Sequence, residues 1–84
     1  MNITFKLFAS LTDYLPTAEK YTNQVTLDIA PDTTIGQLVE RYRLPEKQVH
    51  LVLVNGSYVP PEQRLSHVLH DGDVLAIWPP IAGG

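Results

Sequence analysis

Apolar and polar side chains alternate along several stretches of the chain. In residues 2–8, Ile3, Phe5 and Leu7 are separated by polar positions, and Phe8 falls on the polar side. A repeat of two residues is typical of a β-strand with one buried face. The same alternation, or a continuous apolar run, predicts further strands over residues 25–29, 49–54, 57–59 and 74–78.

One stretch has the periodicity of an amphipathic α-helix. Its apolar side chains recur at i, i+3, i+4 and i+7 and are Ile35, Leu38, Val39 and Tyr42. Thr34 precedes this stripe and Gln37 follows three residues later, which is the arrangement of a capping box at a helix N-terminus. Pro45 marks the end, because the residue before a proline disfavours helical backbone angles.

Two shorter segments are predicted to be helical turns. Residues 10–13 look like a second capping box, in which Ser10 caps the backbone and the turn stops by Pro16. The other turn is predicted to pack inward through Leu65, Val68 and Leu69.

Glycines mark two tight turns. Asn55-Gly56 is a strong signal for a type I′ hairpin, since both central residues need a positive φ. Asp71-Gly72-Asp73 indicates a turn into the last strand. The two carboxylates could also serve acid–base chemistry or, with His67 and His70, a metal site. A metal needs three or four converging ligands, so we predict that the carboxylates shape the turn and that no metal is bound.

The predicted order is strand, helical turn, strand, helix, strand, strand, helical turn, strand. One main helix against a mixed sheet of four or five strands makes an α+β roll, and a β-grasp (ubiquitin-like) arrangement satisfies this order. The first and last strands should lie side by side at the centre, as their apolar character favours. That pairing would bring Phe8 and Trp78 into one apolar patch on the open side, a candidate docking site.

Composition narrows the classes of protein that remain. Eighty-four residues fit one small domain, predicted over residues 1–78. A net charge of −3 with six scattered basic residues argues against nucleic-acid binding. The longest apolar run, residues 51–54, is far shorter than the roughly 20 residues that span a bilayer. No charged-then-apolar signal segment precedes the first strand, and the chain has no cysteine, so a cytoplasmic location is predicted by default.

Residues 79–84 are predicted to be a flexible tail. Pro79-Pro80 cannot donate to a sheet and favours an extended backbone. The extended tail would reach roughly 20 Å. Gly83-Gly84 makes its end thin enough to pass through a narrow channel, because any Cβ would collide there.

The tail end suggests a chemistry, although Gly-Gly alone is more typical of a frayed terminus. A terminal carboxylate is ionised at pH 7 and is a poor electrophile. Adenylation would give it a good leaving group, and a sulfur donor could then convert it to a thiocarboxylate. The chain has no cysteine, so any sulfur that it handles cannot lie on a cysteine side chain.

Over nearly its full length, the chain resembles the MoaD/ThiS family of β-grasp sulfur carriers. The motifs that carry the resemblance are Phe8-Ala9-Ser10-Leu11, the Thr34 cap, Val54-Asn55-Gly56, Asp71-Gly72-Asp73 and the ending Trp78-Pro79-Pro80-Ile81-Ala82-Gly83-Gly84. The ending is more like MoaD, the small subunit of molybdopterin synthase, although MoaD proteins usually have Phe at the position of Trp78. The stretch from Val54 to Pro60 is closer to ThiS, the thiazole sulfur carrier.

The resemblance implies that Gly84 carries the adenylate and then the thiocarboxylate, with Gly83 beside it, on a subunit or co-substrate without turnover of its own. It implies three partners: an adenylating enzyme of the MoeB/ThiF type that uses ATP and magnesium, a cysteine desulfurase or rhodanese as sulfur donor, and the large subunit of molybdopterin synthase or another acceptor. The chain itself would bind no cofactor. The predicted partner-binding positions are Phe8, Trp78, Pro79, Pro80, Ile81 and Ala82.

Other functions remain open beside sulfur transfer to molybdopterin. The acceptor could be the thiazole of thiamine or another sulfur-containing metabolite. Ubiquitin-related protein modifiers share the fold and the Gly-Gly end, but their activated glycine goes to a target lysine. A plain interaction domain is a third class, for which removal of Gly84 would have no effect.

Overall fold

Five strands form one mixed sheet in the computed structural model, which describes residues 1–16 and 21–80. In chain order, β1 to β5 are Asn2–Leu7, Gln24–Asp28, Leu51–Val54, Ser57–Tyr58 and Val74–Trp78. In the same residues, helix α1 is Ile35–Arg41 and 3₁₀ helices cover Ala9–Tyr14, Glu46–Gln48 and Pro61–Gln63. Within the described part of the chain, no helix is long and apolar enough to cross a membrane.

The first and last strands lie next to each other at the centre of the sheet, as predicted. The strand order is β2-β1-β5-β3-β4, with β1 and β5 parallel and all other neighbours antiparallel. The register sets Phe5 beside Leu75 and Leu7 beside Ile77, and all four side chains are buried. The most apolar strands occupy the centre because burial there removes the most apolar surface from water. This is the predicted β-grasp arrangement.

Helix α1 covers the inner face of the sheet. Its N-terminus has the predicted capping box: the Gln37 N–H donates to Thr34 Oγ1 at 3.2 Å, and the Thr34 N–H donates to Gln37 Oε1 at 2.9 Å. Ile35 and Leu38 turn toward the sheet and are fully buried. The other fully buried side chains of the core include Ile3, Phe5, Leu7, Leu11, Val52, Leu69, Leu75 and Ile77.

Helix α1 ends at Arg41, before the proline that was predicted to end it. Arg43 has a φ of +57°, and the Leu44 N–H donates to the Val39 carbonyl at 3.0 Å. A left-handed residue just beyond the last turn is a common way to end a helix, because it lets later N–H groups reach the free carbonyls. The helix is therefore closed by its own backbone, ahead of Pro45.

The predicted cap at Ser10 was wrong. The 3₁₀ helix Ala9–Tyr14 has Phe8 at its N-cap position, and no side chain caps it. Ala9 has a φ of +53°, so the backbone turns at Ala9 itself, directly after β1. The Thr12 hydroxyl donates to the Ala9 carbonyl at 3.0 Å.

The predicted inward packing of Leu65 was also wrong, since its side chain is 82% exposed. The helical turn lies earlier, at Pro61–Gln63. The Gly36 N–H donates to the Arg64 carbonyl at 2.9 Å and holds this segment against the start of α1. Leu65 is thereby left on the surface over Gly36. A Cβ added to Gly36 would come within 2.7 Å of the Leu65 Cδ2 atom. Leu69, which was also predicted to face inward, is fully buried.

Candidate functional site

The rings of Phe8 and Trp78 stack on the open face of the sheet, at the end where the chain leaves β5. Their centroids are 4.1 Å apart and their planes differ by 5°. The two residues reach the same end because β1 and β5 are parallel, and the Phe8 N–H donates to the Ile77 carbonyl at 3.2 Å. Both side chains are half-buried. The two residues therefore lie together as predicted, and in addition their rings stack, so that each ring shields part of the other.

Neighbouring strands extend this stack into a larger apolar surface. Leu51 lies opposite Trp78 and Leu53 lies opposite Ala76, so their side chains share the open face. Tyr58 lies opposite Leu53 at the sheet edge and is 56% exposed. We call this surface the apolar patch, and it consists of Phe8, Leu51, Leu53, Tyr58, Ala76 and Trp78.

The other half of the open face is polar. Strands β1 and β2 present there the side chains of Asn2, Thr4, Gln24, Thr26 and Asp28. Lys6 lies on the border, with Gln24 beside it on β2 and Ala76 beside it on β5. A contiguous apolar surface of this kind, with a polar border, is typical of a protein docking site.

The last strand is held where the tail begins. The His50 N–H donates to the Trp78 carbonyl at 3.1 Å. Pro79 is half-buried and Pro80 is exposed, and neither has an N–H with which to extend the sheet. The chain therefore leaves the sheet directly beside the apolar patch. The predicted site positions that lie outside the described residues are Ile81, Ala82, Gly83 and Gly84.

A buried arginine that was not identified from the sequence fixes the backbone behind the start of the tail. Arg64 is only 8% exposed. Its guanidinium donates to the carbonyls of Val59 at 3.1 Å, Val49 at 3.0 Å and His50 at 2.9 Å. Val49 and His50 come directly before β3, which begins at Leu51, and Arg64 supplies hydrogen-bond donors to their carbonyls. The sequence carries no signal for these contacts, because all three acceptors are backbone carbonyls.

Asn55 joins the hairpin turn to the start of β5. Its φ of +52° and the φ of +83° at Gly56 are those that a type I′ turn requires. Its Nδ2 donates to Asp73 Oδ1 at 2.8 Å, and its Oδ1 accepts from the Val74 N–H at 2.8 Å. The Asn55-Gly56 turn and the Asp71-Gly72-Asp73 turn, which are far apart in the sequence, are therefore joined by hydrogen bonds.

The predicted turn-shaping role is confirmed for Asp73, whereas Asp71 ties the turn to the start of β1. Asp71 accepts from the backbone N–H of Asn2, and Asp73 accepts from that of His70, both at 2.8 Å. The Asp71-Gly72-Asp73 turn lies at the start of β5, at the opposite end of that strand from the tail. Among the residues that the structure describes, including His67 and His70, no group of three or more His, Cys, Asp or Glu side chains could hold a metal ion.

Several solved structures share this fold. SAMP1 from Haloferax volcanii, also named small archaeal modifier protein 1, has a TM-score of 0.68 and 28% identity over 100% of both chains. The thiamine biosynthesis protein ThiS from Geobacter metallireducens has a TM-score of 0.65 and 19% identity over 100% of both chains. A chain of the complex of subunits 1 and 2 of Molybdopterin-converting factor from Helicobacter pylori has a TM-score of 0.62 and 18% identity, again over 100% of both chains. At such low identity, the last two show the fold alone.

No curated protein sequence matches the chain significantly. The model of the ThiS family, however, matches residues 6–84. This span includes the aromatic stack, the hydrogen-bonded hairpin and the start of the tail. The predicted resemblance is thus confirmed, and the chain belongs to the ThiS family.

Proposed function

We propose that the chain is a sulfur carrier whose Gly84 carboxylate is adenylated, converted to a thiocarboxylate and then used to donate sulfur. The observation that supports this best is the Phe8–Trp78 stack, which lies within the apolar patch where the chain leaves β5. A partner that docks on this patch has the tail within reach. Membership of the ThiS family and the absence of cysteine support the same function, since a carrier without thiols must hold sulfur elsewhere.

The proposed charging of the tail has two stages, an adenylation and then a sulfur transfer that takes two steps. A carboxylate oxygen of Gly84 attacks the α-phosphorus of ATP on an adenylating enzyme of the MoeB/ThiF type, which uses magnesium, and pyrophosphate leaves. The terminal sulfur of a persulfide, from a cysteine desulfurase or rhodanese, attacks the acyl carbon of the adenylate, and AMP leaves. A thiolate then attacks the donor's cysteine sulfur in the acyl disulfide and forms a new disulfide with it, and the thiocarboxylate leaves. The chain is a substrate in these steps and has no turnover of its own.

The tail residues have separate roles in this proposal. Pro79 and Pro80 keep the chain out of the sheet, because neither can donate a backbone hydrogen bond. Ile81 and Ala82 provide contacts for the partner. Gly83 and Gly84 let the carboxylate enter a narrow active site, since they have no side chain to collide with its walls.

Molybdopterin is the acceptor pathway that we propose, with the large subunit of molybdopterin synthase receiving the sulfur. The MoaD-like ending from Pro79 to Gly84 supports this pathway. The alternative acceptor is the thiazole of thiamine or another metabolite, which the ThiS-like stretch from Val54 to Pro60 favours.

Protein modification is a second candidate, and the 28% identity to SAMP1 favours it. In that case the Gly84 acyl group would pass to the side-chain amine of a target lysine. Both functions begin with the same adenylate, so they separate only at the second stage.

Adenylation tests the common first stage. The purified chain and the adenylating enzyme from the same genome, with ATP and magnesium, should give ATP–pyrophosphate exchange that depends on the chain. Removal of Gly84 should abolish the exchange, whereas Glu62→Gln, a conservative change of an exposed side chain that is not part of the patch, should leave it unaltered. A plain interaction domain would give no exchange with any of these chains.

A further inference from the structure

Lys6 lies beside the apolar patch on a central strand. It is two residues before Phe8 on β1, which is a separation of about 7 Å on the same face of the sheet. Its neighbour on β5 is Ala76, which is a member of the apolar patch. The Lys6 side chain is half-buried, and a lysine in such a position commonly lays its methylene stem on neighbouring apolar surface and keeps its ammonium in water.

The ammonium of Lys6 makes no ion pair with any described residue. Among the described strand residues, the open face has one other charged side chain, Asp28, at its far corner. The Asp28 carboxylate lies 3.3 Å from the ammonium of Met1. Within residues 1–16 and 21–80, the positive charge of Lys6 on the open face is therefore uncompensated, although the chain as a whole has a net charge of −3.

Docking on the apolar patch would take part of the water away from Lys6. Removing an ammonium from water is unfavourable unless an anion or several acceptors replace the lost hydration. A carboxylate at this point would replace it and would also speed the encounter, whereas a lysine or arginine there would repel the chain. Lys6 thus distinguishes partners that have otherwise similar apolar surfaces.

We propose that Lys6 determines partner specificity: the enzyme that docks on the apolar patch presents an acidic side chain to the Lys6 ammonium. This inference rests on the proposed function, because it takes the adenylating enzyme as the occupant of the patch. It adds the chemistry of the contact, an apolar surface with a carboxylate at the edge that faces β1.

The test compares charge changes on two sides of the molecule. Lys6→Glu reverses the charge at the docking face, and Lys6→Met removes the charge but keeps an apolar stem. The control, Arg43→Glu, makes the same change in net charge beyond the end of α1, on an exposed side chain. The readout is ATP–pyrophosphate exchange by the adenylating enzyme as a function of carrier concentration and of salt, after circular dichroism has shown that each variant is folded.

Lys6→Glu should raise the KM for the carrier about tenfold at low salt with little change in kcat, because a rim charge acts mainly on association. Lys6→Met should give a smaller rise that no longer depends on salt. Arg43→Glu should remain close to wild type. Replacing the contacting Asp or Glu of the enzyme by Lys should restore a low KM for the Lys6→Glu chain.

Three results would overturn the inference. A KM for Lys6→Glu equal to that of wild type would refute it while leaving the proposed function intact. An equal rise for Lys6→Glu and Arg43→Glu would mean that only net charge matters. If the wild-type chain itself supports no exchange, the proposed function fails and the role of Lys6 fails with it.

Discussion

The Trp78 ring lies flat against the Phe8 ring, with 4.1 Å between their centroids, although the two residues are seventy positions apart in the chain. The contact exists because the first and last strands are parallel neighbours. It couples the start of the tail to the centre of the sheet. A partner that recognises the stack therefore recognises the folded domain and the tail position together.

Trp78→Ala should weaken binding of the adenylating enzyme without unfolding the chain. Loss of the ring contact should cost about 1 kcal/mol of stability in addition to the apolar area that the half-buried Trp78 side chain buries, and loss of an aromatic anchor in an interface should cost roughly a further 2 kcal/mol or more of binding free energy. Titration calorimetry gives the binding change and urea unfolding gives the stability change. Tyr21→Ala is the control, because Tyr21 is an aromatic side chain that is 91% exposed and outside the patch. Unfolding of Trp78→Ala, with no separate loss of binding, would refute a docking role.

Asn55→Ala should destabilise the fold by about 2–3 kcal/mol, because it removes the hydrogen bonds to Asp73 and Val74 and places alanine at a positive φ. Asn55→Gly loses the same hydrogen bonds but tolerates the backbone angle, so it should be more stable than Asn55→Ala by about 1 kcal/mol. Urea unfolding of the three chains measures both differences. Equal stability of the two variants would show that the backbone angle contributes nothing.

Arg64→Met should destabilise the fold by about 2–4 kcal/mol, because it leaves three backbone carbonyls without their donor. Arg41→Met is the control, since Arg41 is exposed and its loss should cost less than about 0.5 kcal/mol. Hydrogen exchange should show faster opening at His50, whose N–H is bonded to Trp78. If Arg64→Met unfolds at the same urea concentration as Arg41→Met, the guanidinium contacts do not stabilise the fold.

Much of the fold could be predicted because its signals are local. The alternation of Ile3, Phe5 and Leu7 fixes which face of β1 is buried, and the Thr34–Gln37 capping box fixes the start of α1. The location of Phe8 and Trp78 on one face near the start of the tail followed from the same alternation, once the two strands were taken as neighbours.

The features that could not be predicted depend on contacts between distant segments. Arg64 donates to carbonyls that any residue could supply, so no sequence pattern identifies them. Leu65 has the spacing of a core residue, but the hydrogen bond from Gly36 to Arg64 holds its segment at the surface. Ser10 was expected to cap the helical turn with its side chain. Instead the backbone turns at Ala9, which has a positive φ, and no side chain caps the helix.

The central claim is that Gly84 carries sulfur, and the intact mass of the chain tests it most directly. After co-expression with the adenylating enzyme and a persulfide donor, we expect a species heavier by one sulfur in place of one oxygen, about 16 Da. The chain that lacks Gly84, expressed in the same way, should show no such species. An unmodified wild-type chain, or conjugates to other proteins that survive thiol reagents without any thiocarboxylate, would contradict the claim.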